Sequence, residues 1–469
     1  MSPGGSRLKA CGLYRGCLRI GGWMRILLIS PGKDEDYAKR MGLAFKLPPL
    51  GIATVAGLTK PGIDIRILDE QIEAIDFNDG ADIVGISMMT SAAPRVYRLA
   101  EEFRRRGAKV VLGGPHASAV PEEAAQHCDA VVVGEAEVSW PRLIEDFEKG
   151  RLEKIYTNAE KPSLAGLPEP RRDLYKKKAY LIKNTFQTTR GCPYACSFCS
   201  VSGVFGEQYR SKPVEDVVRS IEITKARFTG FIDDNICGNK KYSKELFKAL
   251  IPLHVGWIGQ ASVNAAEDVE LLKLAKKSGC VGLFMGFETL SQGSMGEIGK
   301  SQNKIAEFKD NVKRLHDHGI IVLGAFVFGL DSDDVDVFKR TVDFIYDAKI
   351  DLAQFTNLTP LPGTQLHKKL VSENRIIDTD WRHYDTESVV FKPAQMTPDQ
   401  LWNGTGWAWN NFYSRGNIVR RMLGMKFDIV RLGMNIVPLL IMNLGFKKAL
   451  DFDNVVKNTF FKDPGNRNK

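Results

Sequence analysis

From Met24 to about residue 395 the chain alternates short apolar runs with stretches of helical period. This alternation constrains the fold more than any other feature. Residues 25–29, 64–68, 83–87, 109–112 and 130–133 read as buried strands, and the spacing predicts helices at about 50–59, 94–106 and 121–126. Apolar runs separated by amphipathic helices predict an α/β fold with a parallel, doubly wound sheet. In such sheets ligands bind beyond the carboxyl ends of the strands. The candidate loops there are 30–33, 87–90, 113–118 and 134–137.

The same period resumes at residue 184. Strands read at about 184–189, 228–233, 256–262, 281–287, 321–328 and 352–358, and helices at about 213–226, 243–252, 267–278, 303–318 and 333–348. Six β/α units suit a partial (β/α)6 barrel, open on one side, with its chemistry at the carboxyl ends of the strands. Between the two repeats, 151–180 reads as a linker. It carries Pro162, Pro168 and Pro170 and a solvated basic run, Lys176-Lys177-Lys178. The organisation expected is a 1–23 extension, a Rossmann-like 24–150 domain, the 151–180 linker, a 181–395 barrel and a helical 396–469 region.

Charge is uneven. The net charge is +9, of which residues 1–23 carry +4 and residues 414–469 carry +7, leaving −2 for the body between. A body without net positive charge argues against a nucleic-acid groove. The first 23 residues have no periodic apolar face and no apolar core of signal-peptide length, so they read as non-structural, with Met24 the natural start. The expected location is the cytoplasm. After 396 the pattern is helical and aromatic, with Trp402, Trp407, Trp409, Phe412 and Tyr413, and predicts a helical cap on the open side of the barrel. Residues 415–448 mix basic and apolar side chains. The apolar run 436–442 is too short to cross a bilayer, which needs about 20 apolar residues. This segment reads equally as a further cap or as a peripheral membrane contact.

The first barrel strand runs into Arg190-Gly191-Cys192-Pro193-Tyr194-Ala195-Cys196-Ser197-Phe198-Cys199. The spacing is C-x3-C-x2-C. Three thiolates on one loop can hold three irons of a [4Fe-4S] cluster and leave the fourth iron open. Structural zinc normally takes four ligands, usually in two pairs, and here the next cysteine is Cys237. Eight cysteines in 469 residues do not make a disulfide framework. Cys237 and Cys280 read as buried structural thiols. His254, His316, His318, His367 and His383 form no metal-ligand spacing.

The cysteine loop resembles that of the radical S-adenosylmethionine (SAM) superfamily, in which Cys192, Cys196 and Cys199 would hold the cluster and the open iron would bind SAM. By the same resemblance the backbone of Phe198 meets the adenine, although packing under the loop is an equal role for its ring. Asp233 or Asp234, at the second strand end, contacts the methionine amino group, although Asp also ends strands as a turn former. Ser262, at the third, bonds the ribose. Glu288, at the fourth, lies near the ribose and carboxylate, although it also reads as a helix N-terminal acid.

Upstream, Pro48-Pro49-Leu50-Gly51, Gly113-Gly114-Pro115-His116-Ala117-Ser118 and Gly134-Glu135-Ala136-Glu137 resemble the cobalamin-binding domain that precedes many of these enzymes. Gly113, Gly114, His116, Gly134 and Glu135 are then the candidate cobalamin contacts, with the glycines allowing close approach to a flat ligand. The loop after the first strand carries no histidine, so the resemblance is to the branch without that cobalt ligand. His116 is a neighbour of the corrin in this reading, not a ligand, and a loop histidine bonding backbone is as good a reading.

Residues 24–413 as a whole resemble cobalamin-binding radical SAM enzymes, a group that includes the hopanoid methylases and the anaerobic magnesium-protoporphyrin monomethyl ester cyclases. The resemblance implies reductive cleavage of SAM to a 5′-deoxyadenosyl radical and cobalamin-dependent C-methylation of an unactivated carbon in a hydrophobic, lipid-like small molecule. It also implies an electron donor such as flavodoxin or ferredoxin. The alternatives are radical oxidative cyclisation or rearrangement without methyl transfer and, from another class, an iron–sulfur or corrinoid redox protein without SAM chemistry.

Overall fold

The apolar runs form the strands of two separate parallel sheets. The computed structural model describes residues 24–34, 46–206, 208–423 and 442–443. The 1–23 extension and most of the basic 415–448 segment lie outside the described residues.

The first unit contains β1 (Arg25–Ser30), α1 (Leu50–Leu58), β2 (Asp64–Asp69), β3 (Ile83–Ser87), α2 (Ala93–Arg105), β4 (Lys109–Gly113), α3 (Pro115–Ala119), α4 (Pro121–Gln126), β5 (Ala130–Val132), α5 (Ala136–Glu148) and β6 (Ile155–Tyr156). Its sheet has the order β2-β1-β3-β4-β5-β6, and every pair is parallel. Both faces are buried. Leu27 and Ile29 pack with Val96, Leu99 and Phe103 of α2, while Ile26 and Leu28 pack with Trp140, Leu143 and Ile144 of α5. The continuous apolar reading of β1 follows from this two-sided burial. Strand order reverses direction between β1 and β3, the switch point where a doubly wound sheet opens a ligand crevice. At that point Met89, just past β3, is 60% exposed.

Two elements depart from expectation. Residues 136–148 form a helix despite an interior proline, Pro141. A proline there removes one helical hydrogen bond, but the apolar face of Trp140, Leu143 and Ile144 is buried against the sheet and holds the helix. Ile155–Tyr156, at the start of the expected linker, adds the sixth strand.

The second unit contains β7 (Thr185–Phe186), β8 (Thr189–Arg190), α6 (Val201–Phe205), β9 (Arg210–Ser211), α7 (Val214–Thr224), β10 (Phe228–Phe231), α8 (Lys240–Leu250), β11 (Gly256–Ser262), α9 (Val269–Lys277), β12 (Cys280–Glu288), α10 (Gln292–Glu297), α11 (Phe308–Asp317), β13 (Ile321–Phe328), α12 (Val337–Ala348), β14 (Leu352–Asn357), α13 (Gln365–Ser372), α14 (Pro398–Phe412) and α15 (Arg415–Leu423). Its main sheet has the order β14-β13-β12-β11-β10-β7 and is parallel throughout. The end strands β7 and β14 do not pair with each other, so the barrel is partial.

Unpaired edges need covering. Along β14 the aromatic helix α14 does this. Trp409 Nε1 donates to the Phe355 carbonyl at 3.0 Å. The Tyr413 hydroxyl donates to the Ala353 carbonyl at 2.7 Å and accepts from the Ala353 amide at 3.2 Å. Residues 398–412 are therefore the cap that the aromatic pattern predicted. At the other edge, the buried Arg172 donates to the Thr185 carbonyl of β7 at 3.1 Å.

On the underside of the barrel, His316 Nε2 lies 2.9 Å from Asp351 Oδ2. Burial works against the charged imidazole, but the hydrogen bond and charge of Asp351 outweigh it and raise the His316 pKa. A histidine raised on folding stabilises the fold below its unfolded pKa, and that contribution is lost as pH rises through the folded value. The melting temperature of the wild type should therefore exceed that of His316→Gln most below about pH 6.5, with the gap closing at higher pH. A gap independent of pH would contradict the ion pair.

Candidate active site

The polypeptide reaches the cysteines through a short ribbon. β8 pairs antiparallel with β9, Thr189 with Ser211 and Arg190 with Arg210. Gly191 then turns with φ +84°, and a Cβ there would lie 2.6 Å from the Gln208 carbonyl oxygen. Only glycine fits such a turn. The loop beyond is tied on both sides. The Ser197 amide donates to the Ile298 carbonyl at 3.0 Å, and the Leu366 amide donates to the Ser197 carbonyl at 2.9 Å. Cys192, Cys196 and Cys199 are all free and half-buried. Burial raises the pKa of all three, Cys199 to about 12; the charge of Asp234 adds to this at Cys192 and Cys199, and that of a neighbouring thiolate at Cys196 and Cys199. A bound cation would remove the penalty by ionising the thiols outright.

The strand ends supply polar groups around this loop, with different roles. Asp233 is wholly buried. Its Oδ1 accepts from the Thr188 amide at 2.9 Å, the Thr188 hydroxyl at 2.8 Å, the Thr189 amide at 2.5 Å and the Thr189 hydroxyl at 2.6 Å. It pins the approach to the cysteine loop with this one oxygen, while Oδ2 is buried without a partner. Asp234, half-buried, is the carboxylate beside the cysteines. Burial first, and the adjacent Asp233 second, push it up to about 6, against the lowering effect of the Gly191 amide. Its Oδ2 is buried with no hydrogen-bond partner. Asn235 Nδ2 donates to the Ser262 hydroxyl at 3.0 Å. Phe198 is half-buried and packs against the barrel core.

Glu288 ends β12 in the left-handed region, φ +64°, just past a register shift. It lies four residues before α10, so it is not the acid of a helix N-terminus. Its carboxylate pairs with Lys300. Lys300 is buried, donates to the Gly286 carbonyl at 3.1 Å, and is close enough to Cys192 and Cys196 to feel their charge. Sequence reading missed Lys300, since it lies 12 residues beyond Glu288, across a helix. A lone lysine at that distance carries no signal.

On the first unit, the candidate cobalamin contacts have local work of their own. A Cβ on Gly114 (φ +91°) would lie 2.8 Å from the Met88 amide, so backbone packing against the end of β3 demands the glycine, with no ligand needed. The Gly113 carbonyl accepts from the Met88 amide at 2.9 Å. His116 is wholly buried, edge-on to Trp381 with ring centroids 5.2 Å apart, and 3.3 Å from the Tyr97 hydroxyl. It packs inside and does not open onto the crevice. The Gly134 amide donates to the Ser118 hydroxyl at 2.8 Å.

Glu135 corrects the expectation most. Its carboxylate is taken by two arginines of the second unit: Arg190 Nη1 at 2.5 Å, and Arg210 at 2.5 and 3.1 Å. Glu137 pairs with Arg190 Nη2 at 2.5 Å. An acid saturated in this way is not free to bond a corrin amide.

Among the described residues, no three His, Cys, Asp or Glu side chains are set to grip a single metal ion. Three free thiols grouped on one backbone-held loop are a donor set that fits an iron–sulfur cluster. The buried, unpartnered Asp234 Oδ2 beside it fits the ammonium of an amino-acid ligand.

Comparison with known proteins gives the same two-part division. A B12 binding domain model matches residues 42–144 and a radical SAM superfamily model matches residues 186–345. The bacteriochlorophyllide d C-12(1)-methyltransferase of Chlorobaculum tepidum is 31% identical, over 86% of this chain and 90% of its own length. The hopanoid C-2 methylase of Rhodopseudomonas palustris is 27% identical, over 76% of this chain and 70% of its own length. The anaerobic magnesium-protoporphyrin IX monomethyl ester cyclase of Cereibacter sphaeroides is 26% identical, over 84% of this chain and 71% of its own length. In fold, the chain matches the cobalamin-dependent SAM radical enzyme OxsB with a TM-score of 0.66 at 13% identity, covering 93% of this chain and 73% of that one. It matches the radical SAM methyltransferase TsrM of Kitasatospora setae with a TM-score of 0.62 at 17% identity, covering 75% of this chain and 78% of that one. The chain therefore belongs to the cobalamin-binding radical SAM methyltransferases, enzymes whose cofactors are a [4Fe-4S] cluster, SAM and cobalamin.

Proposed function

We propose that this enzyme methylates an unactivated carbon of a hydrophobic, polycyclic small molecule. The observation that carries the reading is the place of the cysteine loop. It lies at the carboxyl end of the barrel sheet and is joined through Arg190 to the β5–α5 loop of the B12 binding domain. Reducing chemistry at the loop and a corrinoid on the domain above it would then act on one substrate between them. When bound, the cofactors supply the electron, the 5′-deoxyadenosyl radical and the methyl group. The exposed Met89 at the switch point suits an apolar, flat group. Relatives named for bacteriochlorophyllide and hopanoid methylation support the substrate class.

In this reading Cys192, Cys196 and Cys199 hold the cluster. Asp234 receives the amino group of SAM, Ser262 and Glu288 face its ribose side, and the backbone at Phe198 its adenine. The buried ammonium of Lys300 balances Glu288 and the thiolates. Asp233 acts through Thr188 and Thr189, by holding the loop. A flavodoxin or ferredoxin supplies electrons. The working boundaries are 24–150 for the corrinoid unit, 151–180 for the connection, 181–395 for the barrel and 396–469 for the C-terminal region. No helix among the described residues is long and apolar enough to cross a membrane. Membrane contact through 415–448 is read from its mix of basic and apolar residues, and liposome flotation of the full chain tests it.

A second reading, oxidative cyclisation without methyl transfer, is favoured by the cyclase relatives. Anaerobic reconstitution with iron, sulfide and cobalamin, followed by reduction with SAM, separates the two. Methylation predicts both 5′-deoxyadenosine and S-adenosylhomocysteine. Deoxyadenosine alone favours cyclisation, and neither product rejects both readings.

A further inference from the structure

The Glu135, Glu137, Arg190 and Arg210 cluster has more in it than an ordinary domain contact needs. Each side chain is 14% exposed or less, and Glu135 and Glu137 are nearly sealed at 2% and 5%. The charges balance, two acids against two bases. Arg190 bridges both carboxylates, Nη1 to Glu135 and Nη2 to Glu137, and its Nε donates to Gln187 Oε1 at 3.0 Å, which locks its plane. Arg210 grips the other side of Glu135 and also donates to the Pro162 carbonyl at 2.8 Å in the connecting segment. Both acids come from the β5–α5 loop, at the carboxyl end of the first sheet. Both bases come from the β8–β9 ribbon, and Arg190 is two residues before Cys192.

A buried ion pair is a poor device for stability, since desolvation offsets most of its attraction, but it is a good one for geometry. A planar, bidentate arginine fixes both distance and angle. We propose that these four residues are positioning residues that set the separation of the cluster loop from the corrinoid domain. The inference rests on the reading that both cofactors bind. Radical and methyl donor must address the same carbon, and a misplacement of about 1 Å costs about a hundredfold in such a reaction.

The test measures that separation directly. Reduced full-length enzyme loaded with the cluster and with cob(II)alamin holds two unpaired-electron centres, and pulsed electron-spin spectroscopy reads the distance between them. Wild type should give one narrow distribution. Glu137→Gln and, from the opposite side, Arg210→Gln should broaden or shift it, while the separate spectrum of each cofactor stays as in wild type. Adding the two changes together should give less than the sum of the single effects, because both loosen one cluster. A distribution unchanged in both variants overturns the proposal, even if their melting temperatures fall. If a variant loads one cofactor only, limited proteolysis of its apo form decides. Faster cutting within 157–171 than in wild type supports the clamp, and equal cutting overturns it. Wild type that shows no cobalamin or cluster signal rejects the reading of both cofactors and leaves the geometry of the four residues as a domain contact only.

Discussion

Cys196→Ala is expected to abolish iron–sulfur loading and, with it, all cleavage of SAM. Two thiolates remaining on the loop leave one iron of a four-iron cluster without its protein ligand. The apo fold should barely notice, because Cys196 is half-exposed and sits in a loop held by its backbone at Ser197. Stability should change by within about 0.5 kcal/mol, as for substitutions away from packed or paired groups. Iron analysis, visible absorption and deoxyadenosine production measure the first part, and an apo melting curve the second. A variant that still released deoxyadenosine would remove the cysteine loop from the chemistry. A variant that failed to fold would show that the loop has a structural duty the geometry does not reveal.

Asp233→Ala is expected to be strongly damaging to the stability of the barrel. One oxygen of this wholly buried carboxylate accepts four hydrogen bonds, from the amides and hydroxyls of Thr188 and Thr189. Deletion leaves four buried donors unsatisfied, at about 1–3 kcal/mol for each group that cannot relax. The two hydroxyls can rotate away and the two amides cannot, so a loss of about 4 kcal/mol is expected, in the exceptional range for a single substitution. Since Thr188 and Thr189 lead directly into Gly191 and Cys192, cluster loading should fall as well. Asp233→Asn separates shape from charge. It keeps the accepting oxygen and alters only the side of Oδ2, which has no partner. Burial already disfavours the charged form of Asp233. The asparagine variant should therefore lose about 1–2 kcal/mol, as for one weakened hydrogen bond. Denaturant melts of the three proteins check the order. If asparagine were as harmful as alanine, the ionised charge itself would be what holds the loop. If alanine were mild, Asp233 would not be its anchor.

Much of the architecture was legible in the residues, for a physical reason. Parallel strands covered on both faces read as apolar runs, so 83–87 was read to the residue, and 256–262 was read to the residue although its burial alternates. Helix starts were less legible. The helix expected from 333 begins at Val337, because Asp333 turns back to accept from the Gly329 and Leu330 amides at 2.9 and 3.0 Å. The helix 136–148 was not among those expected, and its interior Pro141 is tolerated because its apolar face is buried against the sheet. The two-residue strands of the β8–β9 ribbon are too short to leave a pattern.

The site divides along the same line. Residues close in sequence carried their chemistry openly: C-x3-C-x2-C lies on eight consecutive residues from Cys192 to Cys199, and its spacing is readable as a motif. Groups that act across the fold did not. Nothing in the order of residues distinguishes Asp233, the buried staple, from Asp234, the carboxylate facing the cysteines. Their surroundings do: Asp233 is taken up by Thr188 and Thr189, while the charge of Asp234 reaches Cys192 and Cys199. Lys300 found Glu288 only because the chain after α10 returns to the end of β12, where Lys300 and Asn303 both donate to the Gly286 carbonyl. Glu135 was read as a ligand for a flat cofactor, and its real partners lie 55 and 75 residues away on the other unit.

The sequence by itself determined the class of chemistry and the two parallel sheets, because both depend on residue type and local period. The tertiary structure alone decided which acid faces the site and how the two units are joined. Those are matters of charge burial between distant segments, and an ion pair shielded from water is invisible until the chain has closed over it.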